Sequence, residues 1–414
     1  MSKRNEILYI SYDGMTDQLG QSQVLPYLAG LSQRGFSITL LSAEKADRFE
    51  KHGSFIRNLC KTAGIDWHPV EYTARPPVVS TLRDVFKIQS KALRLHKKKR
   101  FAVVHCRSYI AALIGLRLKK VYGVSFLFDM RGFWADERVD GGLWNLRSLV
   151  YKRIYNYFKK KEKLFLNQAD HVISLTEAAA LEMSKWEGVR QPLPVTVIPC
   201  CVDTGLFDPD TVSETDKSLW RKRLDIEEGQ LVVGYIGSIG TWYLLKEMLE
   251  YFQQVLEQHP EAVMLFVTNE PAELIEQESR RSGVPAAAIR ITSASRQEMP
   301  VVIDLFHHSV FFIKPSYSKM ASSPTKQGEL MSMGVPVVCN TSVGDTDTVV
   351  SRYQSGVVVK SFSSESYRRA FVEVQTTGWD RLQIRSGAIE FYSLEKGVTL
   401  YASVYNQLIP EDEQ

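Results

Sequence analysis

The sequence predicts an α/β protein with two doubly wound parallel-sheet domains. Short apolar runs alternate with helix-length amphipathic segments along most of the 414 residues, as in strands joined by crossover helices. Each half opens with a strand, a glycine-containing turn and a helix, at 7–34 and 231–259. A polar, strand-poor passage at 203–225 lies between them, so we place the first domain at 1–205 and the second at 206–390.

The first half begins with a strand at 7–12 and a polar loop bounded by glycines. A helix at 22–34 follows, and Pro26 requires that this helix start nearby, because proline is tolerated only in a first turn. Strands and helices then alternate. Further strands are predicted at 36–42, 65–70, 102–106, 125–130, 171–175 and 195–199, and further helices at 56–63, 81–99, 110–121 and 146–168.

The second half starts with a strand at 231–236 and the glycine turn 237–240. Ligands of doubly wound sheets bind beyond the carboxyl ends of the strands, so we expect the functional residues there, in a cleft between the two domains. The remaining predicted strands are at 263–268, 289–293, 310–313, 336–340 and 356–359, and a final helix is predicted at 394–408.

Composition narrows the class of protein. Hydrophobic residues make up 44% of the chain and charged residues 24%, which is typical of a soluble globular protein. A net charge of +4 is too small to indicate a nucleic-acid partner. Five cysteines without a C-x-x-C pair fit a reducing cytoplasm. We expect no signal peptide and no membrane span.

The most informative stretch is SSPTKQGELMSMGVPVVCN at 322–340. Ser323 is a favoured helix N-cap, and Pro324 suits the first helical position. The first turn of this helix would present unpaired N–H groups and the positive end of the dipole to an anion, next to Lys326. Thr325, Lys326 and Glu329 share one face, which suits a nucleotide sugar with its diphosphate at the helix mouth and its ribose on the carboxylate. The same residues also fit an ordinary surface helix, and only the rest of the chain favours the first interpretation.

Six segments, taken in order, resemble the family-4 (group 1) retaining glycosyltransferases. They are ILYISYDGMTDQLGQSQVLPYL near the start, VVHCRS at 103–108, the segment at 169–176, VIPCCVDTGLF at 197–207, VVGYIGSIGTWY at 232–243 and KPSYSKMASSPTKQGELMSMGVPVV at 314–338. The resemblance implies the GT-B architecture of two Rossmann-like domains facing across a cleft. The closing segment resembles the helix that returns to the first domain in such folds, so 391–414 is assigned to that role.

The resemblance also implies a reaction. A retaining enzyme of this kind uses front-face attack, in which the leaving diphosphate takes the acceptor proton and no protein nucleophile is needed. We expect a donor of the UDP- or GDP-sugar class, no cofactor and no metal, because the sequence shows no cluster with metal-ligand spacing and a helix dipole with a lysine can stabilise the leaving group. Closure of the domains would exclude water.

Two departures from the family pattern concern the second domain. Members carry an E-x7-E pair, of which Glu329 matches the second glutamate, the ribose ligand. Ala321 stands at the first position, and Lys319 is the alternative occupant of that neighbourhood. Many members also carry an arginine and a lysine in the turn after the second domain's first strand, where this chain has Ser238 and Tyr243. Neutralisation of the diphosphate is therefore left to the helix mouth, with Lys326 and Lys319.

Candidate site residues follow the strand ends of both domains. Gly20 would let backbone N–H groups approach a phosphate, although it could simply make the turn. His105 matches the family's sugar-contacting histidine, although such a residue could also be a core histidine. Asp129 and Arg131 could reach acceptor or sugar hydroxyls or pair with each other. The predicted sets are His105, Lys326 and Glu329 for catalysis, Gly20, Gln21, Ser238, Lys319, Ser323 and Thr325 for the diphosphate, and Arg107, Asp129 and Arg131 for the acceptor or sugar.

Two basic predicted helices, at 87–100 and 151–163, bear on the acceptor. The second interleaves tyrosines with lysines, which favours contact with an anionic membrane, although a plain solvated face would look similar. We therefore expect a glycosyltransferase of polysaccharide or lipopolysaccharide-type glycan biosynthesis, cytoplasmic and peripheral at the inner membrane face, with a saccharide or lipid-linked acceptor. The alternatives are a sugar-nucleotide epimerase and a catalytically silent nucleotide-sugar binder. An NAD-dependent enzyme is unsupported, because the first loop lacks G-x-G-x-x-G.

Overall fold

The computed structural model describes residues 5–76 and 78–409. The chain forms two compact units, one of Met1–Pro199 with Leu394–Gln414 and one of Cys200–Ser393. Residues 1–4 and 410–414, which the predicted domain bounds include, lie outside the described part. Each unit contains one parallel sheet covered by helices on both faces, so the predicted α/β, doubly wound fold class is confirmed.

The first unit has a seven-stranded sheet in the order β3-β2-β1-β4-β5-β6-β7. The order reverses between β1 and β4, which makes this the switch point at which doubly wound sheets bind ligands. In the register of the sheet, Ser11 at the end of β1 pairs with Arg107 at the end of β4, which pairs with Asp129 at the end of β5. The strands are β1 (Glu6–Ser11), β2 (Ser37–Glu44), β3 (Asp66–Glu71), β4 (Val103–Arg107), β5 (Ser125–Asp129), β6 (His171–Ser174) and β7 (Val195–Val197).

Nine helices cover this sheet in the described residues. They are α1 (Gln18–Gln23), α2 (Leu25–Gln33), α3 (Ala46–Thr62), α4 (Val79–Lys99), α5 (Ser108–Tyr122), α6 (Trp134–Asp140), α7 (Leu149–Gln168), α8 (Glu177–Ser184) and the last helix of the chain, α17 (Leu394–Leu408). The predicted single helix at 22–34 is wrong. Two helices meet at Val24, because Pro26 is the second residue of α2 and cannot continue an earlier helix. The final helix packs on α2, where Gly30 lies against Val398 and leaves no room for a side chain.

The second unit has a six-stranded sheet in the order β10-β9-β8-β11-β12-β13. Its strands are β8 (Val232–Ile236), β9 (Val263–Val267), β10 (Ile289–Thr292), β11 (His308–Phe311), β12 (Val337–Asn340) and β13 (Gly356–Val359). Its helices are α9 (Glu214–Arg223), α10 (Leu245–Leu256), α11 (Ala272–Arg281), α12 (Met299–Ile303), α13 (Thr325–Ser332), α14 (Thr346–Tyr353), α15 (Ser364–Thr376) and α16 (Arg381–Tyr392). Valine, isoleucine and phenylalanine dominate the strands because parallel strands are buried on both faces.

The short helix α13 is held tightly in the second unit. Gly328 lies against Tyr392 and Val202, and an added Cβ would come within 3.0–3.1 Å of their side-chain atoms. Gly334 has φ +69 and ends the helix in the left-handed conformation that the sequence predicted. The helix therefore has a defined position next to the carboxyl ends of the strands. Within the described residues, no helix is both long and apolar enough to cross a membrane.

Candidate functional site

The mouth of α13 differs in detail from the prediction. Pro324 is the N-cap residue, and Ser323 does not cap the helix, because its hydroxyl accepts a hydrogen bond from the backbone N–H of Cys200 at 3.1 Å. The helix starts at Thr325, one residue later than predicted. The N–H groups of Thr325 and Lys326 have no preceding helical turn to bond, so the anion-binding character of the mouth is kept. Ser323 is therefore not the cap of α13, while Thr325 and Lys326 lie in its first turn.

Lys326 turns from α13 into the loop that follows β8. Its Nζ donates a hydrogen bond to the Tyr235 hydroxyl at 2.9 Å and lies 3.6 Å from the ring centroid of Tyr243. Gly237, with φ +108, packs so close that an added Cβ would lie 3.3 Å from this Nζ. Burial lowers the pKa of Lys326 well below its ordinary value, and Glu329 opposes this only in part. The amine of a lysine on α13 therefore reaches the turn in which the resemblance expects a positive charge.

Glu329 points toward the loop after β10. Its carboxylate lies 3.5 Å from the guanidinium of Arg296, and its side chain is 15% exposed. Arg296 also lies over the ring of Phe207. Burial raises the pKa of Glu329 to about 7, although Arg296 and Lys326 both act to lower it. The carboxylate is therefore partly accessible, held beside an arginine and able to change charge near neutral pH.

This pKa predicts a pH-dependent stability. The folded protein holds a proton on Glu329 at pH values where the unfolded chain has lost it, so the contribution is fully present below about pH 4 and is lost as pH rises through about 7. The difference is about 3 kcal/mol. We expect the thermal midpoint of Glu329→Gln to rise relative to that of the wild type, by roughly 6–12 °C, as the pH is raised from 5 to 8. Parallel pH profiles of the two proteins, recorded by circular dichroism, would contradict it.

Lys319 faces the same loop as Lys326. It lies on a short 3₁₀ turn, Tyr317–Ala321, and its Nζ sits 3.7 Å from the ring centroid of Trp242. Ala321 is buried at 3% exposure and offers no polar group. Of the two residues considered for the missing first glutamate, Lys319 thus lies against the loop after β8. The side-chain amines of two lysines thus lie on aromatic rings of the same loop.

Ser238 lies at the exposed tip of that loop. Its backbone carbonyl accepts a hydrogen bond from the Tyr235 hydroxyl, which in turn accepts one from Lys326. The chain of bonds ties the tip to the lysine. Ser238 is thus close to the buried cation, and its predicted contact with a diphosphate stays a prediction.

In the first unit, the loop after β1 is wrapped around a carboxylate of its own chain. Glu44, 2% exposed, accepts hydrogen bonds from the N–H groups of Met15 and Thr16 at 2.8 and 3.1 Å and from the Thr16 hydroxyl at 2.7 Å. Gly14 makes room for it, because an added Cβ would lie 2.8 Å from the carboxylate oxygen. These N–H groups therefore already hold an anion, which the sequence analysis did not anticipate.

Gly20 and Gln21 serve the packing of the same loop. A Cβ on Gly20 would lie 2.3 Å from the carbonyl oxygen of Gly14, so the glycine is required where α1 crosses the loop. The Gln21 side-chain amide donates to the carbonyl of Thr16 at 3.3 Å. The structure therefore supplies a packing reason for both residues, and their contact with a diphosphate stays a prediction.

His105 is sealed inside the first unit, at 1% exposure. Burial lowers its pKa, and the neighbouring Asp129 opposes this shift only in part. Its Nε2 lies 3.3 Å from the carboxylate of Asp129, and its Nδ1 lies within hydrogen-bond distance of the Tyr405 hydroxyl, at 2.7 Å. Both ring nitrogens are thus used by the protein. A sugar contact would require this arrangement to open.

Asp129 joins the remaining residues of this cluster. Burial alone would raise its pKa, but Arg131 and His105 hold it below its ordinary value. Arg131 lies 3.9 Å from Asp129, so the pairing alternative is the one that the structure shows. Arg107, 4% exposed, lies 3.5 Å from Asp13 in the loop after β1. The topology thus brings these predicted residues together at the switch point of the first sheet.

Lys326 and Lys319, the two lysines predicted to neutralise a diphosphate, both lie in the second unit, on α13 and beside the loop after β8. Among residues 5–76 and 78–409, no set of three or more His, Cys, Asp or Glu side chains is placed so that it could hold a metal ion.

Sequence reasoning missed several residues of these clusters. Arg296 beside Glu329, Tyr235 beside Lys326 and Glu44 inside the first loop were not predicted as partners. No local pattern could have found them, because each pair is separated by at least 28 residues. Tyr243 was noted only as a departure from the family pattern, and it supplies the aromatic face nearest Lys326.

Family models match both halves of the chain. The family model described as Glycosyltransferase Family 4 matches residues 21–206, and the one described as Glycosyl transferases group 1 matches residues 216–388. A search of curated proteins gave no significant match.

Three solved structures show the same fold over nearly the whole chain. A glycosyltransferase from Rickettsia africae has a TM-score of 0.72 at 13% identity, with 99% of this chain and 100% of that chain covered. Anabaena HepE in complex with UDP-glucose has a TM-score of 0.69 at 15% identity, with coverage of 97% and 99%. WaaG, a glycosyltransferase involved in lipopolysaccharide biosynthesis, has a TM-score of 0.67 at 13% identity, with coverage of 96% and 99%. At these identities the likeness shows the fold.

Proposed function

The chain belongs to the family-4 (group 1) glycosyltransferases of the GT-B superfamily, and we propose that it moves a sugar from a UDP- or GDP-sugar to a saccharide or lipid-linked acceptor with retention of anomeric configuration. The pathway that we propose is polysaccharide or lipopolysaccharide-type glycan biosynthesis. The enzyme would work in the cytoplasm, peripherally at the inner face of a membrane.

One observation carries the proposal. A single turn of α13 holds Lys326 against the loop after β8 and Glu329 against the loop after β10. Both loops follow the carboxyl ends of strands, and β8 and β10 lie on either side of β9 in the sheet. A nucleotide sugar carries a diphosphate next to a ribose diol. The lysine and helix mouth suit the diphosphate, and a carboxylate suits the paired hydroxyls.

The proposed reaction needs little from the protein beyond charge and position. The bond from the sugar C1 to the diphosphate oxygen breaks, and its electron pair leaves with the diphosphate. The acceptor oxygen bonds to C1 on the same face, and its proton passes to the departing phosphate. Lys326 and the mouth of α13 would stabilise the charge that develops on the leaving group.

Ligand binding and turnover test the proposal separately. We expect UDP or GDP, and the matching nucleotide sugars, to raise the thermal midpoint in a concentration-dependent way. At a ligand concentration one hundred times the dissociation constant, the free energy of unfolding should increase by about 2.7 kcal/mol. If neither UDP nor GDP shifts the midpoint, the proposal fails at binding.

Turnover is measured with an acceptor panel, and the anomeric configuration of the product is read by NMR. We expect transfer with retention, and equal rates with and without EDTA. Conversion of a UDP-sugar without any acceptor would instead indicate an epimerase, and binding without turnover across the panel would indicate a silent binder.

A further inference from the structure

The start of α7 and the segment before it expose apolar side chains to solvent. Leu149 is 73% exposed, and Leu143 and Val150 are each 59% exposed. Leu146 adds a fourth apolar side chain at 36%. Single exposed leucines are common on protein surfaces, but four exposed apolar side chains within eight residues concentrate apolar surface in one short segment.

The same segment is strongly basic. Residues 141–161 contain six lysines and arginines and no aspartate or glutamate. Lys159 turns inward, where its Nζ pairs with Asp136 at 2.8 Å and with Glu162 at 2.5 Å. The exposed cations of the segment are Arg147, Lys152, Arg153 and Lys160. We call the exposed apolar residues Leu143, Leu146, Leu149 and Val150, together with Arg147, Lys152 and Arg153, the α7 entry face.

A second apolar stripe lies at the start of α4. Val79, Leu82 and Phe86 are 61%, 65% and 69% exposed, and their spacing places them along one side of the helix. α5 packs against both α4 and α7, so the three helices lie side by side on one face of the first sheet. Each begins after the carboxyl end of a strand. The stripe and the α7 entry face therefore lie at the same end of that sheet.

We propose that the α7 entry face, together with the α4 stripe at the same end of the sheet, docks the first unit on an anionic lipid bilayer. Apolar side chains enter the headgroup boundary while the flanking cations bind negative lipid charge. A second copy of the chain fits this surface poorly, because a symmetric contact would oppose the cations of one copy to those of the other. The proposal rests on the proposed function only in linking the bilayer to a lipid-linked acceptor.

The sequence predicted two basic helices that could contact a membrane, at 87–100 and 151–163, and the structure favours the second of them. In α4, Lys87 pairs with Asp84, Lys91 donates to the carbonyl of Pro69, and Lys99 pairs with Asp66. Its exposed Lys97 and Lys98 lie at the far end of the helix from the apolar stripe. Beside the α4 stripe the exposed cation is Arg83, whereas the α7 entry face combines three exposed cations with four exposed apolar residues.

Vesicle co-sedimentation of the full chain tests the proposal without any enzymatic assay. The probes are vesicles of phosphatidylcholine alone and of two parts phosphatidylcholine to one part phosphatidylglycerol. We expect binding to the anionic vesicles that weakens with added salt. Replacing both cations, Lys152→Ser with Arg153→Ser, should weaken it roughly 30-fold, and Leu149→Ser with Val150→Ser at least about tenfold.

Matched controls separate the surface from charge and apolarity in general. Lys97→Ser with Lys98→Ser removes the same charge at the other end of α4, and Leu219→Ser removes an apolar side chain that is 61% exposed in the second unit. Both should bind anionic vesicles as the wild type does, and all variants should keep the thermal shift with nucleotide. Equal binding to neutral and anionic vesicles, or wild-type binding by the Lys152/Arg153 variant, would overturn the proposal. The proposal would also be overturned if the wild type sediments as a dimer, the Leu149/Val150 variant sediments as a monomer, and both bind vesicles equally.

Discussion

Replacing Lys326 with methionine is expected to lower kcat/KM by about 10²–10³, while the thermal midpoint stays unchanged or rises. The loss in rate follows because the methionine keeps the volume but removes the group placed to stabilise the leaving diphosphate. The stability does not fall, because a lysine that is 6% exposed has no acidic group within ion-pair distance in the described residues and is held mainly by Tyr235 and two aromatic rings.

A fall in kcat/KM without a fall in the thermal midpoint distinguishes a functional lysine from a structural one. The matched control is Lys246→Met on α10, where the lysine is exposed and makes a surface pair with Glu250. It should change neither quantity. A drop of several degrees in the midpoint of Lys326→Met, with activity lost only in proportion to unfolded protein, would assign Lys326 to the core instead.

Glu329→Ala is expected to raise the dissociation constant of a ribonucleotide diphosphate by at least about 100-fold, because two hydrogen bonds to a charged group contribute about 1.5–3 kcal/mol each. Since the ribose does not react, the change should appear more in KM than in kcat. Arg296 would lose its carboxylate partner but keep its contact with Phe207. Thermal shift and steady-state kinetics with the same nucleotide sugar measure both effects.

A comparison of ribose with deoxyribose makes this test specific. The wild type should bind UDP more tightly than its 2′-deoxy analogue, and Glu329→Ala should bind the two alike, so that the cycle isolates the carboxylate–hydroxyl contact. Glu276→Ala, an exposed change on α11, is the control and should keep the preference. If the alanine variant still discriminates between the sugars, the ribose lies elsewhere.

The strands of both sheets could be predicted because parallel strands read as apolar runs of fixed length, and glycine and proline mark their ends. Helix starts were less predictable. The break at Val24 and the cap at Pro324 depend on a few backbone angles that hydrophobic periodicity does not encode. The same limit applies to α8, which sequence reasoning did not predict.

The sequence by itself determined the doubly wound α/β class, the family and which residue types α13 carries, because these depend on local spacing and on residue types that keep their order along the chain. The tertiary structure alone decided where the charges point. Lys326 meets a tyrosine 91 residues away, and His105 is bonded by a tyrosine 300 residues away. Such contacts follow from how helices pack on a sheet. The same packing buries His105 and places Glu44 inside the first loop, whereas the side chain of Glu329 stays partly exposed.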